Sequence, residues 1–360
     1  MIAVKKVLLI SNEVMHYRVS VYNYFAARFR EHGYEFIVRA SRLQKNNPHP
    51  LKFDFKEIPF RFSRYRKEIK GIKPDAVILF LHVKDLILFP LLYWLRRSRI
   101  PVLSWTKGAN LDAPNDRVRR AIFHHMQTLS DGLILYSQHE KQFVKKKNHY
   151  KMTYANNTIN YFDFPHIESS KEEIKKEFGI EFKKIALFVG RMDIDAGRKK
   201  VDHAIRVFNT IENAVYGLVL VGSGFNDQLK EEIQGKNTVY LGEIYDPENV
   251  AICKVFKMAD IFLIPGHVGL GINQAFFWNL PVITEKGNQP PEIHYLISGR
   301  NGFLVEEDDL EGLKEKVLFL LDNDQERIRF GENAKRDILQ NASIEGMFGG
   351  FLQNIQRVLD

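Results

Sequence analysis

Short apolar runs alternate with segments of helical apolar spacing from one end of the chain to the other. Residues 5–11 (KKVLLIS) read as a buried strand, and residues 12–18 as a loop. Residues 19–32 place Val21, Tyr24, Phe25 and Phe29 at helical intervals and stop at Gly33. Residues 34–40 form the next strand, so the chain opens strand, loop, helix, strand. That is the doubly wound pattern, in which ligands lie at the carboxyl ends of strands. Strands follow at 75–81, 100–105, 132–136 and 152–155, with helices at 85–95, 117–129 and 140–147. Residues 161–170, with Pro165 and two serines, read as a linker. The rhythm then resumes, with strands at 185–190, 217–221, 238–242 and 261–264 and helices at 171–178, 200–211, 227–233 and 250–258. Helices at 310–322, 325–339 and 344–359 finish the chain. The fold class expected is α/β.

A chain of 360 residues suits two domains better than one core. Charge places the break near residue 165. Residues 1–165 hold 29 Lys/Arg against 13 Asp/Glu, and the remainder holds 23 against 31. The expected division is 1–165, 166–342 and a C-terminal helix at 343–360 that packs back toward the first domain. The basic half suits an anionic partner: lipid headgroups, a phosphorylated acceptor or nucleic acid. A solvated basic surface is the plain alternative. Residues 43–75 interleave basic and aromatic side chains, a pattern that suits base stacking, a membrane surface or, over 52–58, an edge strand.

Apolar content of 45% with 27% charged residues describes a globular protein. A single cysteine, Cys253, excludes an intrachain disulfide and a cysteine-based zinc site, and fits a reducing cytoplasm. Residues 7–10 are too short for a signal-peptide core. The most apolar window, 77–95, is broken by His82, Lys84, Asp85 and Pro90, so no membrane span is expected.

The most informative stretch is 261–305. A buried strand runs into the loop Gly266-His267-Val268-Gly269-Leu270-Gly271, then into a helical segment over 272–278 that Asn279 can end, then into a strand from Pro281. Strand, glycine loop and helix start together bring free N–H groups to one point and suit an anion. An ordinary βαβ turn has the same outline. In the first half, the loop after the first strand holds His16, Tyr17 and Arg18, and the loop after 100–105 holds Lys107. His16 and Arg18 either reach a ligand or decorate a helix start.

Several motifs in the second half, taken in order, resemble those of the family 4 glycosyltransferases of the GT-B fold. Phe188-Val-Gly190-Arg191 resembles a strand-end VGR, and Lys199-Lys200-Val201-Asp202 a helix-start KGVD after a loop about three residues longer than usual. Leu220 to Gly224, with Gly222, resembles hhGxG, and Val239 to Gly242 resembles VxFLG. Ala259-Asp260 with Pro265, Gly269-Leu270, Asn279 to Ile283, Pro291-Glu292-Ile293 and Asn301 to Val305 continue the series. The first half fits more loosely, through Arg18, Lys107-Gly108 and Asn157 to Asn160.

The resemblance implies two Rossmann-like parallel-sheet domains facing a central cleft. It also implies transfer of a sugar from a nucleoside diphosphate sugar to a hydroxyl, with retention of configuration and with neither a metal nor a cofactor. Arg191 and Lys199 would neutralise the leaving diphosphate. Gly190, Gly222, Gly269 and Leu270 would line the donor, Gln274 would hold the ribose, and Gly242 and Glu243 would line the base. His16, Arg18 and Lys107 would face the acceptor or the cleft. The family's usual pair of glutamates falls at Gly266 and Gln274. Gln274 can still bond a diol. Gly266 cannot grip a sugar, which leaves that task to His267 or Asn273, or else the donor lacks the hydroxyl concerned.

The acceptor expected is a glycan or a lipid-linked glycan of the lipopolysaccharide or cell-surface polysaccharide type. The first half would meet it at an anionic membrane surface on the cytoplasmic side. Three other readings stand beside this one: a glycan-binding or partner subunit with a decayed donor site, a nucleotide-sugar epimerase, and a nucleic-acid binder. The epimerase lacks its loop glutamate, and no RNA or DNA motif is present, so nucleic acid is not expected as a partner.

Overall fold

The computed structural model describes residues 4–45, 47–109, 111, 116–192 and 198–360. The chain divides into two compact units, Met1–Asn160 with Ala342–Asp360, and Tyr161–Asn341.

The first unit comprises β1 (Lys5–Val14), α1 (His16–Glu31), β2 (Tyr34–Leu43), β3 (Asp54–Glu57), α2 (Phe62–Ile72), β4 (Ala76–Phe80), α3 (Leu88–Arg97), β5 (Val102–Thr106), α4 (Arg117–Leu129), β6 (Gly132–Leu135) and β7 (Met152–Tyr154). Among the described residues these strands form one parallel sheet in the order β3-β2-β1-β4-β5-β6-β7. The order reverses between β1 and β4, which is where doubly wound sheets open a crevice. Val7 to Ile10, Val77 to Leu79 and Leu133 to Leu135 are buried on both faces of their strands, as a helix-covered parallel sheet requires.

Three local expectations change. Residues 12–14 continue β1, because Glu13 and Val14 pair with Arg42 and Leu43 of β2, so His16 begins α1 directly and the expected loop shrinks to Met15. Residues 62–72 form α2, whose buried Tyr65 and Ile69 lie four apart. The edge strand expected over 52–58 is β3, and two 3-10 turns, Gln138–Phe143 and Lys146–Lys151, replace the helix expected at 140–147.

The second unit comprises α5 (Lys171–Glu177), β8 (Lys184–Val189), α6 (Val201–Asn209), β9 (Tyr216–Val221), α7 (Asp227–Glu232), β10 (Thr238–Tyr240), α8 (Val250–Met258), β11 (Ile261–Leu263), α9 (Gly271–Phe277), β12 (Val282–Glu285), β13 (Gly302–Val305), α10 (Leu310–Asp322) and α11 (Asp324–Asn341). Ser170 starts α5 with a reciprocal cap, accepting from the Glu173 N–H while the Glu173 carboxylate accepts from its own. The strands are parallel in the order β10-β9-β8-β11-β12-β13, with the reversal between β8 and β11. Each sheet is thus doubly wound and Rossmann-like, the α/β class read from the sequence.

A last helix, α12 (Ile344–Leu359), belongs to the first unit. Its Phe348 and Phe351 pack against Phe25 and Phe29, and Phe351 meets Trp105 edge-on at 5.0 Å. Gly350 passes so close to β7 that a Cβ there would stand 2.2 Å from the Tyr154 carbonyl oxygen. Only glycine permits that approach. Asn354, fully buried, donates to the Leu133 carbonyl at 2.8 Å and to Thr153 Oγ1 at 3.0 Å.

Candidate functional site

In the second unit, three neighbouring strand ends are laced together by backbone bonds. Gly190 N–H donates to the Val221 carbonyl, Gly222 N–H to the Gly242 carbonyl, and Met192 N–H to the Ser223 carbonyl, all within 2.8–2.9 Å. Gly222 has φ 134, and a Cβ on it would stand 2.0 Å from the Gly190 oxygen. The strand-end glycines Gly190, Gly222 and Gly242 thus lie side by side because their backbones touch. The Tyr240 ring stacks on Phe225 at 4.1 Å while its hydroxyl donates to the Gly222 carbonyl. Glu243 follows directly from this strand end.

Across the switch point, the loop after β8 meets the loop after β11. Gly266 N–H donates to the Lys199 carbonyl at 3.0 Å, and His267 N–H donates to the Arg198 carbonyl. In return the Lys199 ammonium donates to the His267 carbonyl at 3.1 Å. The Lys199 stem lies along Gly190, where a Cβ would stand 2.6 Å from Cδ. Burial pushes the Lys199 ammonium down to about 8, with Glu292 opposing the shift. One carbonyl uses one of three N–H groups, so the ammonium keeps capacity for an anion.

Gln289 fixes the loop from the other side. Its amide donates to the Gly266 carbonyl (3.0 Å), Thr284 Oγ1 (3.0 Å) and the Glu285 carbonyl (2.8 Å), and its oxygen accepts from Val268 N–H at 3.1 Å. The loop leads through Gly269 (φ 56) into α9. Neither the Gly269 nor the Leu270 N–H has an acceptor among the described residues. Asn273 is fully buried on α9, whereas Gln274 is half-buried. Asn279 takes the left-handed conformation (φ 60) just past the helix, as expected of a C-terminal stop. Arg191 is exposed directly after Gly190 and makes no ion pair with a described residue.

Lys200, in the left-handed region (φ 49), turns away from Lys199 and enters a separate network. Its ammonium bonds Glu285 at 2.9 Å and Asp308 at 2.6 Å, and His203 Nδ1 bonds Glu285 at 2.7 Å. Burial alone would raise the Glu285 carboxyl, but hydrogen bonds from His203, the Asp308 N–H and Lys200 hold it below its ordinary value. His203, Glu285 and Asp308 have metal-ligand spacing, their atoms lying within 4.8 Å of one another. The Lys200 ammonium already bonds both carboxylates of that trio.

In the first unit, Phe80, Trp105 and Tyr136 stack at the carboxyl ends of β4, β5 and β6, with centroid spacings of 4.1 and 5.6 Å. Arg18, 4% exposed, lies 4.7 Å over Trp105 and donates to Asn157 Oδ1 at 2.7 Å. Lys107 lies 5.7 Å from the Tyr136 ring. His16 opens α1 with Nδ1 2.8 Å from Gln44 Oε1, and burial lowers its ring below the ordinary histidine value. Arg18 and Lys107 therefore flank one aromatic stack. His16 is held by a side chain of the β2–β3 connection.

Residues 170–337 match the model of the family described as glycosyl transferases group 1. The matched residues lie within the second unit. Spore coat protein SA of Bacillus subtilis is 24% identical over 191 residues, 48% of this chain and 49% of that protein. The capsular polysaccharide biosynthesis glycosyltransferase CapM of Staphylococcus aureus is 26% identical over 184 residues, 46% of each. The chain thus spans about half the length of the curated relatives it matches. Anabaena Alr3699/HepE, solved in complex with UDP-glucose, superposes with a TM-score of 0.75 at 12% identity, over 98% of this chain and 99% of that one. That likeness establishes the GT-B fold for the two units.

Within the second unit, Gln289, Glu285 and His203 are structural participants that pattern reading passed over. Gln289 sits in Gly-Asn-Gln-Pro-Pro, where a polar residue before two prolines was the available signal. Nothing local marks Glu285 as the partner of residues more than 80 positions away.

Proposed function

We propose that the chain transfers a sugar from a nucleoside diphosphate sugar to a hydroxyl of a glycan or lipid-linked acceptor, with retention of configuration, in cell-surface polysaccharide synthesis. The observation that carries this reading is Lys199, whose ammonium is anchored by one carbonyl beside the Gly266–Leu270 loop at the switch point. A diphosphate placed there meets a cation whose attraction grows as charge builds on the leaving group. Arg191, exposed at the end of β8, supplies the second cation. The Gly269 and Leu270 N–H groups add donors to the same anion. Gln274 offers an amide to the ribose, and Gly242, Glu243 and the Tyr240 ring line the base. His267 and Asn273 take the sugar contacts that Gly266 cannot make.

No protein carboxylate is assigned as base. The acceptor proton passes to a leaving-phosphate oxygen as the acceptor oxygen bonds the anomeric carbon on the same face. This assignment involves neither metal nor cofactor. His16, Arg18 and Lys107, at the carboxyl end of the first sheet, are the groups offered to the acceptor. No helix among the described residues is long and apolar enough to cross a membrane. Contact with an anionic cytoplasmic membrane surface is assigned to the basic first unit, in which Leu86, before α3, and Tyr93, on α3, are exposed and the helix ends in Arg96 and Arg97. HepE with its UDP-glucose and CapM with its capsular role support the donor class and the pathway class.

The decisive experiment is a thermal-unfolding panel of UDP, GDP, ADP and their sugar conjugates, with and without magnesium. A ligand of the folded state raises the midpoint by mass action. The expected result is a shift with one nucleotide that Arg191→Ala with Lys199→Ala removes. No shift with any nucleotide transfers the assignment to a glycan-binding subunit.

A further inference from the structure

The first unit has a second concave site, at the end of its sheet opposite the usual ligand end. The segments entering β5, β6 and β7 (Arg99 to Pro101, Ser130-Asp131, Tyr150-Lys151) and the end of α12 enclose a cavity of about 550 Å³. Arg96, Arg99, Lys151 and Arg357 line it, against the lone carboxylate of Asp131. That carboxylate is engaged already, accepting from the Val102 N–H at 2.9 Å and lying 3.6 Å from Arg96.

The other cations have no acid of their own. Lys151 is 4% exposed, and its ammonium donates to the Ser130 carbonyl, with no carboxylate within 4.0 Å among the described residues. Arg357 donates to the Asp131 carbonyl and to Asn354 Oδ1, both uncharged. Arg99, at φ 55, turns the chain from α3 into β5 and is exposed at the rim; its backbone N–H donates to the Arg96 carbonyl, and its guanidinium makes no hydrogen bond or ion pair to a described residue. A buried ammonium facing only a carbonyl is costly unless an anion completes it. Burial accordingly pushes Lys151 down to about 8.

We infer that this cavity binds a phosphate-bearing anion, a phosphate monoester or a phospholipid headgroup, through Arg96, Arg99, Lys151 and Arg357. Its size falls in the range of small-molecule sites. Guanidinium forks beside an ammonium match a phosphate's several acceptor oxygens. The site is separate from the donor loop and does not depend on the transferase reading.

The test is calorimetric titration of the full chain with inorganic phosphate and with glycerol 3-phosphate at constant ionic strength, using Arg99→Gln and Lys199→Ala. Arg99 is exposed, so its replacement leaves the fold intact, as unfolding without phosphate will verify. The expected result is saturable binding that Arg99→Gln weakens about tenfold, the equivalent of one charged hydrogen bond, and that Lys199→Ala leaves in place. Absence of saturable binding, equal binding by Arg99→Gln, or loss in Lys199→Ala overturns the assignment. The last outcome would put the phosphate in the donor loop. Flotation with phosphatidylcholine vesicles, with and without phosphatidic acid, separates the sources. Capture of the parent chain but not of Arg99→Gln by phosphatidic acid identifies a headgroup, and soluble binding alone identifies a free monoester.

Discussion

Lys199 covers Gly266. The Gly266 N–H donates to the Lys199 carbonyl oxygen at 3.0 Å, and a Cβ on Gly266 would stand 2.7 Å from the Lys199 carbonyl carbon and 2.1 Å from the Arg198 oxygen. Two of the sequence's departures from the resembled pattern are a longer loop after β8 and a glycine where a glutamate is usual. The two departures meet at this contact. The backbone of the loop's end lies where a side chain on residue 266 would project.

Gly266→Ala is therefore expected to destabilise the second unit by roughly 1–3 kcal/mol, since both obstructing atoms belong to the backbone. Gly266→Glu should cost more and should not restore a sugar contact. Urea unfolding monitored in the second unit checks both. Parent-like stability of Gly266→Ala would show that the two loops are not in contact.

Gly190 offers the opposite case. A Cβ there meets only the flexible stem of Lys199, at 2.6 Å from Cδ and 2.7 Å from Cε. Gly190 also has φ 159, a conformation that strains any L residue, so Gly190→Ala should cost roughly 1–3 kcal/mol and weaken binding of a nucleoside diphosphate about tenfold by displacing the ammonium. Titration calorimetry beside urea unfolding separates the two effects.

Nucleotide affinity should also depend on pH in a defined direction. Lys199 titrates at about 8 in the free protein, well below an ordinary lysine. Its cation, and so its attraction for a diphosphate, is present below that value and is lost as pH rises through it. The dissociation constant is expected to rise about tenfold per pH unit above 8, the slope of a single required proton. Lys199→Ala should bind weakly at every pH and remove the slope.

Much of this was legible in advance. The strand-helix alternation and the doubly wound sheets followed from local pattern, and residues 310–322 and 344–359 are helical as their spacing requires. What escaped was written in polar residues. The α2 segment carries Tyr65 and Ile69 at helical spacing, but Arg61, Arg64, Arg66 and Lys67 crowd the pattern with charge. The end of β1 is held by pairing of Glu13 and Val14 with Arg42 and Leu43, and the polar Asn12 and Glu13 interrupt the apolar run that would have announced it. The Gly266–Lys199 contact and the Glu285 network join distant segments, and no periodicity in one segment announces its partner in another.

The Glu285 network predicts an effect of pH on stability. Glu285 hydrogen-bonds His203, which raises the His203 ring above the ordinary histidine value. A raised folded pKa stabilises fully below the unfolded value near 6.5, and the contribution disappears as pH rises through the folded value. Glu285→Gln should remove this dependence and, by leaving Lys200 and His203 without their buried partner, cost about 3 kcal/mol. Urea unfolding between pH 5 and pH 9 is the measurement. A parent-like pH profile in Glu285→Gln would assign the stabilisation elsewhere.

Asn354 is the polar pin by which α12 is held to the first sheet. It is fully buried, it donates to the Leu133 carbonyl and to Thr153 Oγ1, and its oxygen accepts from Arg357. Its Oδ1 lies where a Cβ on Gly132 would stand, at 2.2 Å, so the amide fits only against glycine. Asn354→Leu replaces the amide with a branched apolar group of similar length, leaves the Leu133 carbonyl without this donor, and crowds β6. A loss of about 1–3 kcal/mol is expected from the unsatisfied buried groups alone. Because the chain has two units, a single unfolding curve would blur the result. Amide hydrogen exchange resolves it, with faster exchange expected in α12, β6 and β7 and unchanged protection in β8 and β9. Uniform loss of protection across both units would mean that Asn354 supports the whole chain and not this junction.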